Sequence, residues 1–195
     1  MHVQAADAAG VKLILGFQRR FDNNFQAVKR QIEAGAIGGV RTFRIVSRDP
    51  APPSAEYLKT SGTNKRMMRI SVVAPLTLVL VSSLTHTGGI FLDMSSHDFD
   101  MARFLVGSDI EEVYAQGTAW GPEASMAKDL DTQVTLLRFK NGVFGTIENS
   151  RVCAFGYDQR VEVFGDKGAL QGQNRAPSTV VRSDASGIVG GKSAG

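Results

Sequence analysis

The chain has 195 residues, 43% hydrophobic and 21% charged, which is the composition of an ordinary globular domain and excludes a disordered or fibrous protein. Its formal net charge of +3 comes mostly from dispersed Lys and Arg residues without an aromatic-interleaved basic stripe, so we expect no nucleic-acid partner. The single cysteine, Cys153, excludes an internal disulfide and a CxxC metal site and fits a reducing, cytoplasmic compartment. The N-terminus, MHVQAADAAGVK, lacks the basic-then-apolar layout of a secretion signal.

The first elements of the chain are a helix end and a short apolar segment. Residues 4–10 are rich in alanine and end at Gly10, which predicts the tail of a helix. Residues 11–16 (VKLILG) are typical of a buried strand. A helix followed by such a strand is how a doubly wound sheet continues. We therefore expect residues 1–17 to be the remnant of a nucleotide-binding domain, with a segment missing upstream.

A second helix and a strand come next. Apolar residues recur at helical spacing over residues 21–35, and either Asp22 or Asn23 can cap the helix that this spacing predicts. Residues 39–48 (GVRTFRIVSR) are rich in β-branched and aromatic side chains, which predicts a strand. The prolines in residues 49–54 predict a loop after it.

The segment 88–107 carries the spacing that suggests chemistry. Asp93, His97 and Asp100 fall at positions i, i+4 and i+7 of a predicted helix, so they share one face, and Gly107 ends the helix. A carboxylate one turn before a histidine can fix the tautomer of the imidazole and raise its pKa, which makes a general base. The alternative is a solvated polar face that happens to carry a histidine, because DxxxH alone is a weak pattern.

Four predicted strands follow this helix: residues 112–119, 132–139, 143–151 and 157–164. Residues 140–142 (KNG) predict a tight hairpin turn, and consecutive strands with tight turns predict an antiparallel meander. Helices first and strands later indicate an α+β fold, an open and mainly antiparallel sheet with helices on one face. The small and polar residues 173–195 predict a loose tail, with one weak strand at most over residues 178–182.

Residues 63–87 do not fit this order. The part over residues 70–84 is nearly all apolar, but it is too short and too interrupted for a membrane span, which needs roughly 18 or more apolar residues. We therefore expect no membrane association. Two interpretations stay open for the insert: translated non-coding sequence such as a retained intron, or a genuine insertion that forms an apolar element at an interface.

Four segments, in the same order, resemble the Gfo/Idh/MocA oxidoreductases, and among them most closely the inositol 2-dehydrogenases. They are GFQRRFDNNF (16–25), SRDPAPP (47–53), GGIFLDMSSHDFDMARFLVG (88–107) and GYDQRVEVFGDKGAL (156–170). The resemblance implies that residues 18–172 are the substrate and oligomerisation domain of this family, interrupted by the insert at 63–87. It also implies a homo-oligomer formed through the open face of the sheet.

The resemblance further implies an NAD-dependent oxidation of a secondary alcohol on a polyol or sugar. His97 would take the hydroxyl proton, Asp93 would orient and polarise His97, and Asp100 would hydrogen-bond a substrate hydroxyl. The remaining substrate-binding residues that it implies are Arg19, Asp49 and Tyr157. For these three, purely structural roles are an equal alternative: a surface salt bridge, a turn aspartate and a tyrosine at the edge of the core.

The chain lacks two features of the family. No GxGxxG opens a helix near its start, and no lysine lies in a Glu-Lys-Pro context, so we expect the NAD-binding domain to be absent and this chain alone to be inactive. A non-catalytic oligomerisation or interaction module is therefore the alternative function. A metal-binding protein using Asp93 and His97 is a third interpretation, but two ligands on one helix do not complete a metal site, so we expect no metal.

Overall fold

The computed structural model describes residues 2–13, 16–51, 89–122, 124, 129–173, 181–184 and 187–189, and the insert at 63–87 lies outside this part of the chain. The α-helices are α1 (His2–Ala9), α2 (Asn23–Glu33) and α3 (Ser96–Val106). A 3₁₀ turn, Gln18–Phe21, precedes α2, and a π-helical turn, Phe91–Ser95, precedes α3. The strands are β1 (Val40–Arg48), β2 (Ile110–Thr118), β3 (Thr132–Phe139), β4 (Phe144–Ser150), β5 (Asp158–Gly165), β6 (Gly168–Gln173), β7 (Val181–Asp184) and β8 (Gly187–Val189).

The strands form one open sheet in the order β2-β3-β4-β1-β5-β6-β7-β8. The pairing between β1 and β4 is parallel, and every other pairing of described strands is antiparallel. The predicted α+β class with a mainly antiparallel sheet is therefore confirmed. The uninterrupted meander is wrong, because β1 lies between β4 and β5: Phe43 pairs with Gly145 on one side and with Val163 on the other. The buried backbone N–H and C=O groups of an inner strand need hydrogen-bond partners on both edges, and β4 and β5 provide them for β1.

The core lies between the helices and the inner face of the sheet. Its side chains come from α2, α3 and the alternate, inward-facing positions of the strands, and they include Phe25, Val28, Phe43, Ile45, Met101, Leu105, Leu137, Phe139, Ile147, Val163 and Leu170. Gly145 permits the close approach of β1, since a Cβ at this position would lie 2.2 Å from the carbonyl oxygen of Phe43. The core therefore fixes the register of β1 against β4 through shape as well as through backbone hydrogen bonds.

The helix that carries the DxxxH pattern is positioned by its apolar side. Met94, Met101 and Leu105 are buried, as their spacing predicts. Gly107 ends α3 in the left-handed conformation with φ 69°, and its N–H donates to the carbonyl oxygen of Arg103 at 2.9 Å. The predicted C-terminal stop is thus confirmed. The π turn before α3 is not predicted by the sequence pattern, and turns of this kind are frequent at functional sites.

The predicted strand over residues 11–16 is wrong for residues 11–13 and 16, which lie in no strand, while residues 14 and 15 lie outside the described part. Val11 is 61% exposed, and the eight-stranded sheet includes no strand next to this segment. In contrast, residues 181–184 and 187–189, in the predicted tail, form β7 and β8. No helix among the described residues has the length and apolar character that crossing a membrane requires.

Candidate active site

A cleft of about 530 Å³ opens where β1 and its parallel neighbour β4 end. The 3₁₀ turn, the loop after β1, the π turn, α3 and the segment between β4 and β5 all contribute to its wall. The lining residues are Gln18, Arg19, Asp49, Pro50, Ala51, Asp93, Met94, His97, Arg151 and Tyr157. The volume lies within the range of small-molecule sites, roughly 300–1,000 Å³.

The cleft brings together the residues that the sequence singled out, with one exception. Asp93 and His97 lie on its wall together with the residues implied by the resemblance, which are Arg19, Asp49 and Tyr157. Asp100 is not among the lining residues. Its carboxylate is 8% exposed and accepts two hydrogen bonds from Arg20, from Nε at 2.7 Å and from Nη2 at 2.6 Å. Arg20 donates one hydrogen bond to each oxygen, and each oxygen keeps a second acceptor site, so the predicted substrate contact of Asp100 stays a prediction.

His97 is half-buried, and its environment sets its charge. The imidazole meets the ring of Phe17 edge-on, with the centroids 5.8 Å apart, and its Nδ1 is buried without a hydrogen-bond partner among the described residues. Burial lowers the pKa of His97, the Arg19 cation lowers it further, and the carboxylates of Asp98 and Asp93 oppose this with smaller effects. The expectation that Asp93 makes the pKa higher than usual is therefore wrong, because the sequence shows the carboxylate but not the burial. A lowered pKa leaves the imidazole neutral near pH 7 and able to accept a proton.

The Asp93 carboxylate is held by an arginine that the sequence analysis missed. Arg151 Nη1 donates to Asp93 Oδ2 at 2.8 Å, and its Nη2 lies 3.8 Å from Asp129 Oδ2. The side chain of Arg151 is only 4% exposed. The sequence contains a signal for the burial of Arg151. Alternate positions of β4 face inward, including Ile147 and Asn149, and Arg151 is the next position in this alternation.

A second missed group is the buried carboxylate of Asp98, the residue that follows His97. Asp98 is fully buried and accepts hydrogen bonds from Ser47 Oγ at 2.7 Å and from Asn149 Nδ2 at 2.6 Å, and it forms an ion pair with Arg19. Asn149 in turn accepts from Gln133 Nε2 at 2.5 Å. Polar residues at inward-facing strand positions, such as Gln133 and Asn149, were the signal in the sequence.

Arg19 and Tyr157 share one acceptor on β5. With its amide oxygen directed to the cleft, Gln159 accepts hydrogen bonds from Arg19 Nε at 2.9 Å, from Arg19 Nη2 at 2.5 Å and from the Tyr157 hydroxyl at 2.5 Å. Partial burial raises the pKa of Tyr157, so its hydroxyl keeps its proton at neutral pH. Burial also raises the pKa of Asp49, although the Arg151 cation opposes this.

The arrangement offers one neutral base, His97, and hydrogen-bonding groups of both kinds, which fits a ligand with several hydroxyl groups. It does not fit the pyrophosphate of a dinucleotide. The N-terminus of α2 is occupied by the Asp22 carboxylate, which accepts from the N–H groups of Asn24 at 2.8 Å and Phe25 at 3.4 Å. Among the described residues there is also no group of three His, Cys, Asp or Glu side chains that could hold a metal ion.

Comparison with known proteins places these observations in a family. Residues 81–171 match the model of the GFO/IDH/MocA C-terminal domain. The chain is 42% identical over 191 residues to the myo-inositol 2-dehydrogenase of Thermotoga maritima, covering 97% of this chain and 49% of that protein. It is 39% identical over 170 residues to the inositol 2-dehydrogenase of Rhizobium meliloti, covering 87% of this chain and 44% of that protein. The chain thus spans about half the length of these curated relatives.

Solved structures agree with the sequence comparison. A probable dehydrogenase from Thermotoga maritima superposes with a TM-score of 0.70 at 42% identity, covering 97% of this chain and 50% of that one. The scyllo-inositol dehydrogenase of Lactobacillus casei, solved with bound NAD(H) and scyllo-inositol, superposes with a TM-score of 0.65 at 30% identity, covering 96% of this chain and 50% of that one. Residues 81–171 therefore belong to the GFO/IDH/MocA C-terminal domain, and the sequence and fold of the rest of the described chain are similar to those of the same relatives.

Proposed function

We propose that this chain supplies the substrate-binding and proton-accepting side of an NAD-dependent polyol dehydrogenase that acts on an inositol. The observation that carries the proposal is a half-buried histidine of lowered pKa, His97, in a cleft lined by Arg19 and Tyr157. The names of its relatives, several of which are inositol dehydrogenases, support the substrate class. NAD, when bound, accepts the hydride from the carbinol carbon. The described residues contain no cradle for its phosphates, so we assign it no contact here.

His97 receives the proton of the reacting hydroxyl in this proposal. We assign this role to Nε2, because Nδ1 is buried. Asp93, fixed by Arg151, stabilises the imidazolium that forms, since a nearby carboxylate favours the charged form of histidine. The Arg19 guanidinium and the Tyr157 hydroxyl donate to ring hydroxyl oxygens, and Asp49 accepts from a hydroxyl. Asp100 is paired with Arg20 and is not among the lining residues of the cleft, and its contact with a substrate hydroxyl stays a prediction.

The test is the binding of myo-inositol and scyllo-inositol to the purified chain, followed by NMR of the histidine imidazoles. We expect the His97 signals, assigned by their loss in His97→Gln, to move in a saturable way. Arg19→Met should weaken binding about tenfold or more, which corresponds to the loss of a charged hydrogen-bond donor. The control is Arg30→Met, since Arg30 is an exposed residue of α2 and does not line the cleft. Polyols that leave His97 unchanged at high concentration would overturn the proposal.

We further propose that the chain forms a homo-oligomer through the outer face of its sheet. Exposed apolar side chains on this face, namely Tyr114, Val134, Leu136, Phe144 and Phe164, support the proposal. Sedimentation at several concentrations should detect self-association that Leu136→Arg weakens. Self-association without polyol binding would favour the alternative function, a non-catalytic interaction module. A cytoplasmic location also stays a prediction, supported by the single cysteine.

A further inference from the structure

The carboxylate of Asp98 is the most completely enclosed charged group at the cleft. It is 0% exposed, although it follows directly after His97 in α3. Both of its oxygens are occupied. Oδ1 accepts from Ser47 Oγ on β1 at 2.7 Å and pairs with Arg19 Nη1, and Oδ2 accepts from Asn149 Nδ2 on β4 at 2.6 Å. A buried carboxylate persists only when it is paired and hydrogen-bonded in this way.

The guanidinium of Arg19 is held on one side by Asp98 and Ser47 and on the other by Gln159. Its Nη1 is engaged by Asp98 and lies 3.1 Å from Ser47 Oγ, while its Nε and Nη2 both donate to Gln159. The guanidinium side chain is 12% exposed, and it still lines the cleft together with His97. The three anchors come from three different elements: α3, β1 and β5. A donor that is fixed before the ligand arrives costs no reorganisation when charge develops.

The Asp98 carboxylate also balances the charge of Arg19 beside His97. The Arg19 cation disfavours the imidazolium of His97, and Asp98 favours it. Without Asp98, Arg19 would keep its neutral partners Ser47 and Gln159 but would lose the ion pair that balances its charge next to the base. The other charged groups that act on His97 are Asp93 and Asp100, and the latter is already paired with Arg20.

We propose that Asp98 is a positioning residue of the active site, which fixes the guanidinium of Arg19 in the cleft beside His97. That the cleft binds a polyol rests on the proposed function. The fixed position of Arg19 does not depend on the proposed function, and it can be measured separately.

The experiment compares Asp98→Asn with Asp100→Asn, a control that breaks the other Asp–Arg pair of α3, which is partly buried and lies outside the cleft. Hydrogen exchange of the arginine Nη–H groups, which include the donors to Asp98 and Asp100, is followed by NMR, with the Arg19 signal assigned by its loss in Arg19→Met. We expect Asp98→Asn to accelerate exchange at Arg19 about tenfold or more, the ratio that matches loss of a charge-assisted hydrogen bond. Asp100→Asn should accelerate exchange at Arg20 and leave Arg19 as it is. An unchanged Arg19 in Asp98→Asn, or an equal change in both variants, overturns the proposal.

A second readout separates positioning from a general loss of structure. In Asp98→Asn the pKa of His97 should fall, because the group that favours the imidazolium is removed while Arg19 remains. Myo-inositol binding should weaken in the same variant. If the unmodified chain binds no inositol, the proposed function fails, and the exchange of Arg19 still decides the role of Asp98.

If Asp98→Asn does not fold, the double variant Arg19→Met/Asp98→Asn replaces it. Removing both charges eliminates the uncompensated arginine, so the double variant should fold where Asp98→Asn does not. A double variant that also fails to fold, while Arg19→Met folds, would mean that Asp98 does not act through Arg19 and would overturn the proposal.

Discussion

Leu137 and its neighbour Leu136 allow a direct test of how the sheet is oriented. Both lie on β3, but Leu137 faces the helices and is 0% exposed, whereas Leu136 faces outward and is 44% exposed. Truncation of leucine to alanine removes three carbons, about 2.4 kcal/mol at about 0.8 kcal/mol for each. At Leu137 the cavity left behind raises the expected cost to about 3–5 kcal/mol. At Leu136, where about half of the side chain is exposed and no cavity forms, we expect about 1 kcal/mol.

The assay is urea unfolding of Leu137→Ala and Leu136→Ala, followed by circular dichroism. With a slope of about 2 kcal/mol per molar urea, the midpoint of Leu137→Ala should fall by about 1.5–2.5 M and that of Leu136→Ala by about 0.5 M. Measurement at two protein concentrations separates any contribution of self-association at the outer face. Equal midpoint shifts in the two variants, or a larger shift in Leu136→Ala, would refute the assigned orientation of β3.

Two further predictions concern the helix cap and the pH dependence. Asp22→Ala should lower the free energy of unfolding by about 1 kcal/mol in urea titrations, because the Asp22 carboxylate caps α2, and the exposed neighbour variant Asn23→Ala should have a smaller effect. The pKa of His97 is lowered in the folded chain, so its contribution to stability is complete above the unfolded value of about 6.5 and is lost as the pH falls below it. His97→Gln should remove this component of the pH dependence, and a difference between the two pH profiles that grows above pH 6.5 instead would contradict the direction of the shift.

Periodicity and turn chemistry were sufficient for most of the elements. The β-branched pattern of β1, the Asn-Gly turn after β3 and the glycine that ends α3 are local signals, and each has its predicted counterpart in the structure. The place of β1 between β4 and β5 could not be predicted in the same way, because strand order depends on pairing between distant segments. The domain boundaries at 17/18 and 172/173 stay predictions.

At the candidate site, residue type was informative and contact partners were not. The DxxxH spacing led to Asp93 and His97, and both line the cleft. The same spacing made Asp100 a candidate. Its carboxylate pairs with Arg20, which is 80 positions away in the sequence, and the spacing does not show this hydrogen bond. The role of Asp98 depends on a similar long-range contact with Asn149. Which of several carboxylates on one helix meets a cation is decided by tertiary packing, and sequence spacing alone does not contain this information.

The central position of β1 has a consequence for how the chain folds. Among the described strands, β1 alone joins the hairpin-connected group β2, β3 and β4 to the group that begins with β5. Its parallel partner β4 lies about a hundred residues further along the chain, so closing this loop costs about 3 kcal/mol more entropy than closing a four-residue turn. Such distant pairing slows folding, and we infer that β1 enters the sheet late.

Late entry of β1 makes site formation and completion of the sheet one event. Arg19 precedes β1, Ser47 lies within it and Asp49 follows it, so these residues reach His97 only when the strand is in place. Before that moment, β4 and β5 each present an unpaired edge to other chains. A ligand that binds the completed cleft therefore stabilises the joint between the two halves of the sheet, and it lowers the population of chains whose edges are open to aggregation.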